Sequence, residues 1–398
     1  MFRSAIVKLT AVCNIDCSYC YMFRQADQTY ARMPARMSLP LALRLLDRVC
    51  AYHPPGADEA FSIVLHGGEP LLWPEADLLE WLRQFGLRRA QGWNLDLAIQ
   101  TNLVRPLSGR LRDALHQARV ALGVSLDGPR DLNDSVRVDK LGRGTYQRVM
   151  QNVESLLEHG DGDLIGGFLS VANPAMTPQA YLDWVLSLPI TRVDVLWPIE
   201  FNWKNPPWGI FSRDQYAKNP RYGRWFSDLF MAWWNLDRPD IVIRLFDNLL
   251  RLMLGDKSHI DSLVNDSYNM FVVNTDGSYE YPDYLRNARD GAAQTSFNIL
   301  NNAIEELHQD PVFYRLLHLK DECPSSCRQC RHQAVCGGGF LPGRSDALLH
   351  ISSRESVLCA DQMYFFDSVS AIVSQALQPT GGHHAVTIDV PSVMAHAR

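Results

Sequence analysis

Short apolar runs alternate with amphipathic segments over residues 1–200 of the chain. The runs are rich in β-branched residues, and in the segments between them apolar residues recur at helical spacing, a pattern that predicts parallel βα units. Six such units predict an α/β fold, an open (β/α) barrel. The predicted strands are Ala5–Leu9, Phe61–His66, Leu95–Gln100, Ala121–Leu126, Leu164–Val171 and Arg192–Trp197.

Two of the intervening helices have a predicted start. Ser38 is expected to cap a helix that runs through Tyr52, and Thr145 to open another. Cys50 shares the spacing of the apolar residues of the first helix, so we expect a core thiol there. In a barrel of this kind the chemistry lies at the C-terminal ends of the strands.

The pattern changes after the sixth predicted strand. Residues 197–234 are unusually aromatic and contain prolines, which predicts either a loop that holds a substrate over the barrel mouth or simply core. Ile241–Leu254 has helical spacing, and MFVVNTDGSYEY predicts a β-hairpin that turns at Asp276-Gly277. We therefore divide the chain into a barrel at 1–240, a second domain at 241–376 and a flexible tail at 377–398.

Charge and hydropathy exclude several classes of function. The formal net charge is −6, so no broad basic field points to nucleic acid. No apolar stretch is long enough to span a bilayer, and the N-terminus reads straight into a strand rather than a signal peptide, so no membrane partner is expected. We expect a cytoplasmic protein.

The cysteines carry the first chemical signal. Eight of the nine fall into two tight groups without an export signal, which favours reduced thiolates that hold metal. Cys13, Cys17 and Cys20 have the spacing C-x-x-x-C-x-x-C directly after the first strand. Three soft thiolates suit a [4Fe–4S] cluster with one iron left open. The alternatives are a zinc site or buried thiols.

Polar motifs follow the second and fourth predicted strands. The second runs into His66-Gly67-Gly68-Glu69-Pro70, where glycine lets the backbone approach a ligand that a Cβ would block. The fourth leads into SLDGP, and Arg137 lies twelve residues after Ser125. A guanidinium fork suits a carboxylate geometrically.

Together these motifs resemble the radical S-adenosylmethionine (SAM) superfamily. The resemblance implies a partial (β/α)6 TIM-type barrel in which the open iron chelates the SAM amine and carboxylate. An aromatic residue before the third cysteine fits the same family, and a serine and an arginine hold the SAM carboxylate in the related sulfatase-maturating enzymes. The SAM-binding residues implied in this way, with two at the end of the third strand placed by position, are Tyr19, Gly67, Gly68, Glu69, Pro70, Gln100, Asn102, Ser125 and Arg137.

The second cysteine group resembles the SPASM domain, which usually holds two auxiliary clusters. Phe340 and Pro282 stand where the full pattern has cysteines. The resemblance therefore implies one auxiliary [4Fe–4S] cluster, with a structural zinc as the alternative. Its ligands would be Cys327, Cys330, Cys336 and Cys359, with Cys323 spare or a substitute for one of them.

Asp283 is the candidate catalytic base. It follows Pro282, and the sulfatase-maturating family places its proposed base directly after the corresponding cysteine. A carboxylate beside a substrate radical would accept the proton released during oxidation or cyclisation. The alternative is an exposed turn aspartate.

Further motifs narrow the resemblance. CSYCYMF, ADQ, LHGGEPLL, SLDGP, GRGTY, TDGSYE and CGGGFLP look like those of maturases that modify ribosomally made peptides, in particular those that form cyclophanes. The implied reaction uses a 5′-deoxyadenosyl radical to take a Cβ hydrogen, after which the carbon joins a nearby aromatic ring. Formylglycine-type oxidation, thioether formation, epimerisation and excision of a residue are alternatives, and a non-catalytic peptide-binding iron–sulfur scaffold is an alternative of another class.

The resemblance also implies partners. They are a precursor peptide and a reductant such as flavodoxin or ferredoxin. The first strand is predicted to begin at the fourth or fifth residue, so we expect no N-terminal leader-binding domain. Recognition would then use the barrel mouth, the C-terminal region or a separate leader-peptide-binding protein.

Overall fold

One ten-stranded sheet organises the protein, as seen in a computed structural model that describes residues 1–263, 268–319, 323–344 and 354–377. Its strand order is β12-β11-β10-β1-β3-β4-β5-β7-β8-β9, and a separate ribbon pairs β2 with β6. The strands are β1 (Ser4–Thr10), β2 (Ile15–Cys17), β3 (Phe61–Gly67), β4 (Leu95–Thr101), β5 (Ala121–Ser125), β6 (Arg137–Asp139), β7 (Ile165–Val171), β8 (Arg192–Leu196), β9 (Val242–Ile243), β10 (Met270–Val273), β11 (Ser278–Glu280) and β12 (Gln294–Asn298).

Helices follow most of the parallel strands and complete the βα units. They are α1 (Leu39–Tyr52), α2 (Glu75–Ala90), α3 (Gly109–Ala118), α4 (Arg130–Val136), α5 (Tyr146–Glu158), α6 (Pro178–Ser187), α7 (Arg213–Ala217), α8 (Arg221–Leu236), α9 (Arg244–Met253), α10 (Pro311–Leu317), α11 (Ser325–Arg328), α12 (Gln333–Cys336) and α13 (Cys359–Ala376). None of those in the described ranges has the length and apolar character needed to cross a bilayer.

The six predicted βα strands are confirmed. β1, β3, β4, β5, β7 and β8 run parallel and end within a residue or two of their predicted bounds. Ser38 and Thr145 stand at the N-caps of α1 and α5, although neither side chain bonds the helix backbone. The fold is therefore the predicted open α/β barrel.

The prediction of a helix over Ile241–Leu254 is wrong at its start. Val242–Ile243 is strand β9, which pairs in parallel with β8, and the helix begins only at Arg244. The predicted hairpin is present as β10 and β11, and β10 extends the barrel sheet through β1. The predicted boundary at residue 240 thus falls inside one continuous sheet. Residues 378–398, nearly all of the predicted tail, lie outside the described residues.

Alternating burial along the strands separates a core face from a cavity face. In β3, Phe61, Ile63 and Leu65 are fully buried, whereas the residues between them are only half-buried. Because successive side chains point to opposite faces of a sheet, His66 lies on the second face. The same period places Lys8 of β1, opposite His66, on that face.

The aromatic segment 197–234 contributes residues both to the core and to the cavity wall. Trp225, Phe226 and Phe230 of α8 are core residues. Trp197, at the end of β8, is buried as well but also lines the cavity described next. The helical part of the segment is therefore core, and its first residues belong to the barrel mouth.

Candidate functional site

A cavity opens at the C-terminal ends of the barrel strands. Its volume is about 1090 Å³ including the open mouth. One wall carries the three N-terminal cysteines and the polar strand ends, and the other is largely apolar. The predicted residues that line it are Cys13, Cys17, Tyr19, Cys20, Gly67, Gly68, Glu69, Gln100, Asn102, Ser125 and Arg137.

The cysteine loop is attached to the strand that carries Arg137. In the two-stranded ribbon, Cys17 of β2 is paired with Arg137 of β6. The Ser18 N–H also donates to the Val136 carbonyl at 2.9 Å. This ribbon brings the arginine beside the cysteines, although 120 residues separate them along the chain (137 − 17).

Tyr19 links Arg137 to Asp127. The Arg137 guanidinium donates to the Tyr19 hydroxyl at 2.8 Å, and that hydroxyl donates to the Asp127 carboxylate. Burial raises the pKa of Tyr19 well above its usual value, so the phenol stays protonated and keeps this donor. Asp127 in turn accepts from the Val171 N–H at 3.0 Å, which fixes the group to β7.

The two glycines of the HGGEP motif are needed for packing of the chain against itself. A Cβ on Gly67 would lie 2.5 Å from the Thr10 carbonyl oxygen, and one on Gly68 would lie 2.2 Å from that of Val12. Gly67 also has a φ of +141°. The glycines therefore let β3 pack against the segment that leads into the cysteine loop. Their contact with a ligand, expected from sequence, stays a prediction, and both glycines line the cavity.

Glu69 holds neighbouring strand ends in position. Its carboxylate accepts from the Leu71 N–H at 3.0 Å, the Thr101 hydroxyl at 2.7 Å and the Asn102 N–H at 2.7 Å. It also lines the cavity. Pro70 does not line it and instead opens a buried 3₁₀ turn after the motif.

The remaining predicted SAM contacts are side chains at the ends of β4 and β5. The Gln100 amide donates to the Ser125 hydroxyl at 2.8 Å. The Asn102 amide donates to Asn14 at 2.8 Å and lies 3.7 Å from the Cys13 sulfur. These bonds orient both amides along the cavity wall.

The donor set fits a cluster. Burial raises the pKa of Cys13 to about 12 and that of Cys17 to about 11, so their thiolates need a bound cation. Within the described ranges, no three His, Cys, Asp or Glu side chains are arranged to hold a single metal ion. A cubane fits this spacing better than zinc because its ligands bind different iron atoms.

Asp283 is buried in an ion-pair network and is not an exposed turn residue. Its carboxylate pairs with Lys8, whose side chain is fully buried, and accepts from the Tyr21 hydroxyl at 3.0 Å. Lys8 also donates to Tyr21 at 2.7 Å and lies 3.5 Å from Nδ1 of His66. Burial acts to raise the pKa of Asp283, but Lys8 and Arg286 outweigh it and hold the pKa at about 2.

Asp283 does not itself line the cavity, but Tyr21 and His66 do. Burial, followed by the charge of Lys8, lowers the pKa of His66 to about 3 and keeps its imidazole neutral. Nδ1 of His66 lies 2.8 Å from the Gly67 amide nitrogen and 3.1 Å from the Gly67 carbonyl oxygen, so the ring is held against the backbone of the HGGEP motif. Tyr21 thus connects the candidate base to the cavity.

Arg286 connects the hairpin region to the ADQ motif of the cysteine loop. Its guanidinium forms ion pairs with Asp27, Glu280 and Asp283, and all of these groups are buried. Asp27 also accepts from the Thr29 hydroxyl at 2.6 Å. The second half of the chain is therefore part of the wall behind the site.

The four predicted auxiliary ligands line one small cavity. Cys327, Cys330, Cys336 and Cys359 surround a space of about 340 Å³ that also contacts Phe366. Burial raises the pKa of Cys359 to about 11, which again calls for a cation. Cys323 is buried and does not line this space.

An aromatic group fills the region where the sequence departs from the two-cluster pattern. Phe340 is buried, and its ring lies 5.7 Å from that of Tyr284, which lies 5.2 Å from Tyr268. Tyr284 is two residues after Pro282. These aromatic side chains therefore lie at or near Phe340 and Pro282, the two positions where the full pattern has cysteines.

Sequence reasoning missed several residues of the site. Lys8 occupies a cavity-face position of an otherwise apolar strand, which was a usable signal. Two further residues line the cavity. They are Tyr21, directly after Cys20, and Glu200, which follows the sixth predicted strand. Arg286 had no local signal, because its partners are up to 259 residues away.

Residues 7–171 match the Radical SAM superfamily. This range contains the three cysteines, the glycine motif and Arg137. Together with the barrel and its cavity, the match identifies a radical SAM domain within the chain. Such a domain implies a [4Fe–4S] cluster and SAM.

Whole-chain likenesses extend beyond that domain. The chain is 25% identical over 394 residues to an uncharacterized protein, sll1766, of Synechocystis, covering 95% of this chain and 92% of that protein. It is 21% identical over 384 residues to a serine-type anaerobic sulfatase-maturating enzyme of Bacteroides thetaiotaomicron, covering 90% and 87% of the two chains.

Solved structures share the fold. The structure of anSMEcpe with bound AdoMet and Cp18Cys peptide aligns with a TM-score of 0.73 at 19% identity, over 94% of this chain and 98% of that one. Streptococcus suis SuiB bound to precursor peptide SuiA aligns with a TM-score of 0.56 at 14% identity, over 90% and 76%. At these identities the likeness establishes the architecture, including the region after the barrel.

Proposed function

We propose that this enzyme abstracts a hydrogen atom from a side chain of a ribosomally made precursor peptide and forms an aromatic-to-Cβ carbon–carbon crosslink. The observation that carries the proposal is the cavity, which is lined both by the three cysteines and by the apolar residues Leu169, Leu196 and Trp197. Two solved structures of this fold are of proteins named with a bound peptide, which supports a peptide as substrate.

Cys13, Cys17 and Cys20 would hold the cluster that SAM completes. Asn102, Ser125 and the Tyr19-braced Arg137 offer donors to the SAM carboxylate. When bound, the cluster and SAM supply a radical able to take hydrogen from an unactivated C–H bond. The apolar wall keeps water and other hydrogen donors from the reacting carbon.

Asp283 is the proposed acceptor of the proton lost from the ring, reached through the Tyr21 hydroxyl. Crosslinking removes one hydrogen from Cβ and one from a ring carbon. The ring hydrogen is lost as a proton after the ring has been oxidised, and the oxidised ring is a strong acid. A carboxylate whose pKa is held at about 2 is sufficient as a base for such an acid. Lys8 keeps that carboxylate ionised and oriented.

A single auxiliary cluster held by Cys327, Cys330, Cys336 and Cys359 is part of the proposal. Four cysteines leave no iron open, so substrate binding is not its role. It offers an acceptor for the electron that the crosslink releases. The aromatic group around Phe340 supports the absence of a second auxiliary cluster.

Iron content tests this assignment. We expect about eight irons per chain from two cubane clusters. Cys336→Ser should lower the content to about four, whereas Cys323→Ser, at a buried cysteine outside the ligand cavity, should leave it near eight. A value near twelve would mean a third cluster, and equal losses in both variants would contradict the ligand set.

The mass of a co-expressed precursor peptide tests the reaction. A crosslink removes two hydrogens and suppresses backbone fragments between the joined residues in tandem mass spectrometry. Mass conservation would instead support epimerisation.

Formylglycine formation is the second candidate, because several relatives are named sulfatase-maturating enzymes. Oxidation of a serine also removes two hydrogens, so mass alone does not separate the two. An aldehyde reacts with a hydrazine and leaves the backbone fragments intact. A hydrazone product would therefore overturn the crosslink proposal.

A further inference from the structure

Glu200 is an acidic residue that lines the cavity just after β8. It follows β8, whereas the HGGEP motif follows β3. β4, β5 and β7 lie between these strands, so the two sites are four strand spacings apart, about 19 Å along the sheet at about 4.8 Å per strand. The proposed SAM contacts at strand ends follow or end β3, β4 and β5, whereas Glu200 follows β8 at the other end of this run of strands.

The Glu200 carboxylate has no cationic partner in the part of the chain that the structure describes. Its surroundings are aromatic: Trp197 and Phe201 are close in sequence, and Tyr222 is close enough for the carboxylate charge to raise the pKa of its phenol, after the larger effect of burial. Burial raises the pKa of Glu200 itself. A bound cation would oppose this effect of burial and favour the charged carboxylate.

The backbone around Glu200 is held in place. The Asn205 amide donates to the Glu200 carbonyl at 3.1 Å, and the Asn287 amide donates to the Ile199 carbonyl. Asn287 belongs to the turn that begins with Asp283. These bonds hold the backbone that carries Glu200 against the turn that carries the candidate base.

A second unused group lies beside it. The indole N–H of Trp197 is buried and has no acceptor among the described residues, and Trp197 lines the same cavity. A buried donor without an acceptor calls for a partner that the chain does not supply. A peptide offers both a carbonyl and, on a basic side chain, a cation.

We propose that Glu200 binds a lysine or arginine side chain of the substrate peptide and so selects where the peptide sits relative to the reacting carbon. The inference rests on the proposed function, since it assumes a peptide in this cavity.

Blocked tripeptide amides provide the probe. Acetyl-Ala-Lys-Ala-amide and its neutral norleucine analogue differ only in charge, and their affinities for the reconstituted holoenzyme with SAM are measured anaerobically by calorimetry. We expect the lysine peptide to bind about tenfold more tightly to the wild type and the preference to fall below about twofold in Glu200→Gln. Glu154→Gln, at an exposed residue of α5, should keep the full preference.

Charge reversal provides a second arm. Glu200→Lys should prefer acetyl-Ala-Glu-Ala-amide over the lysine peptide, which a merely structural residue would not produce. Equal affinities of the lysine and norleucine peptides for the wild type, including no binding of either, would overturn the inference, as would an unchanged preference in Glu200→Gln. Crosslinking of a precursor is scored separately by mass, so failure of one proposal is distinguishable from failure of the other.

Discussion

Replacing Cys13, Cys17 and Cys20 together by alanine is expected to abolish SAM cleavage. The three thiols line one wall of the cavity, and no other cysteine of the described residues lies there. Without them the cluster iron is lost, whereas the auxiliary iron, about four per chain, remains. The readouts are 5′-deoxyadenosine after reduction with dithionite and the iron content of the same sample.

Cys50→Ala is the matched control. Cys50 is the cysteine outside both groups, half-buried against the core, and its loss should leave both iron content and cleavage unchanged. Retained cleavage in the triple variant would refute the assignment of the cluster ligands. Loss of all iron would instead show that the two sites do not assemble independently.

Arg286→Met is expected to destabilise the protein strongly. The substitution leaves the buried carboxylates of Asp27 and Glu280 without their cation, whereas Asp283 keeps Lys8. Removing one partner of a buried ion pair costs about 3–5 kcal/mol. The expected observation is a fall of several degrees in the Tm of the holoprotein, measured anaerobically.

Arg83→Met supplies the comparison at an exposed pair. Arg83 and Glu80 bond each other on the surface of α2, where solvent screens the pair, so its loss should change the Tm very little. Arg286→Lys keeps the charge but loses the fork that reaches three carboxylates, so its Tm should be intermediate. If Arg286→Met and Arg83→Met lower the Tm equally, the network does not hold the two halves of the site together.

The strands and the cysteine wall could be predicted from sequence because their signals are local. The period-2 burial of β3 and the spacing of Cys13, Cys17 and Cys20 both lie within a few neighbouring residues. The helix predicted at Ile241 began too early because β9 is only two residues long and its apolar run continues into α9. The local sequence pattern does not distinguish so short a strand from the helix that follows it.

The reasons behind the motifs depended on contacts that sequence does not reveal. Gly67 and Gly68 are required by Thr10 and Val12, which belong to the neighbouring strand segment. Lys8 reaches Asp283 across 275 residues of sequence. Such pairings depend on the order of the strands in the sheet. A single sequence can therefore point to a residue of the site without indicating which residue it contacts.

The most direct test uses a precursor peptide carrying deuterium at the Cβ positions of its residues, incubated anaerobically with the reconstituted enzyme, SAM and dithionite. The account predicts 5′-deoxyadenosine that contains one deuterium, together with a peptide in which a Cβ is joined to an aromatic ring. Unlabelled 5′-deoxyadenosine beside an unchanged peptide, or no 5′-deoxyadenosine at all, would contradict it.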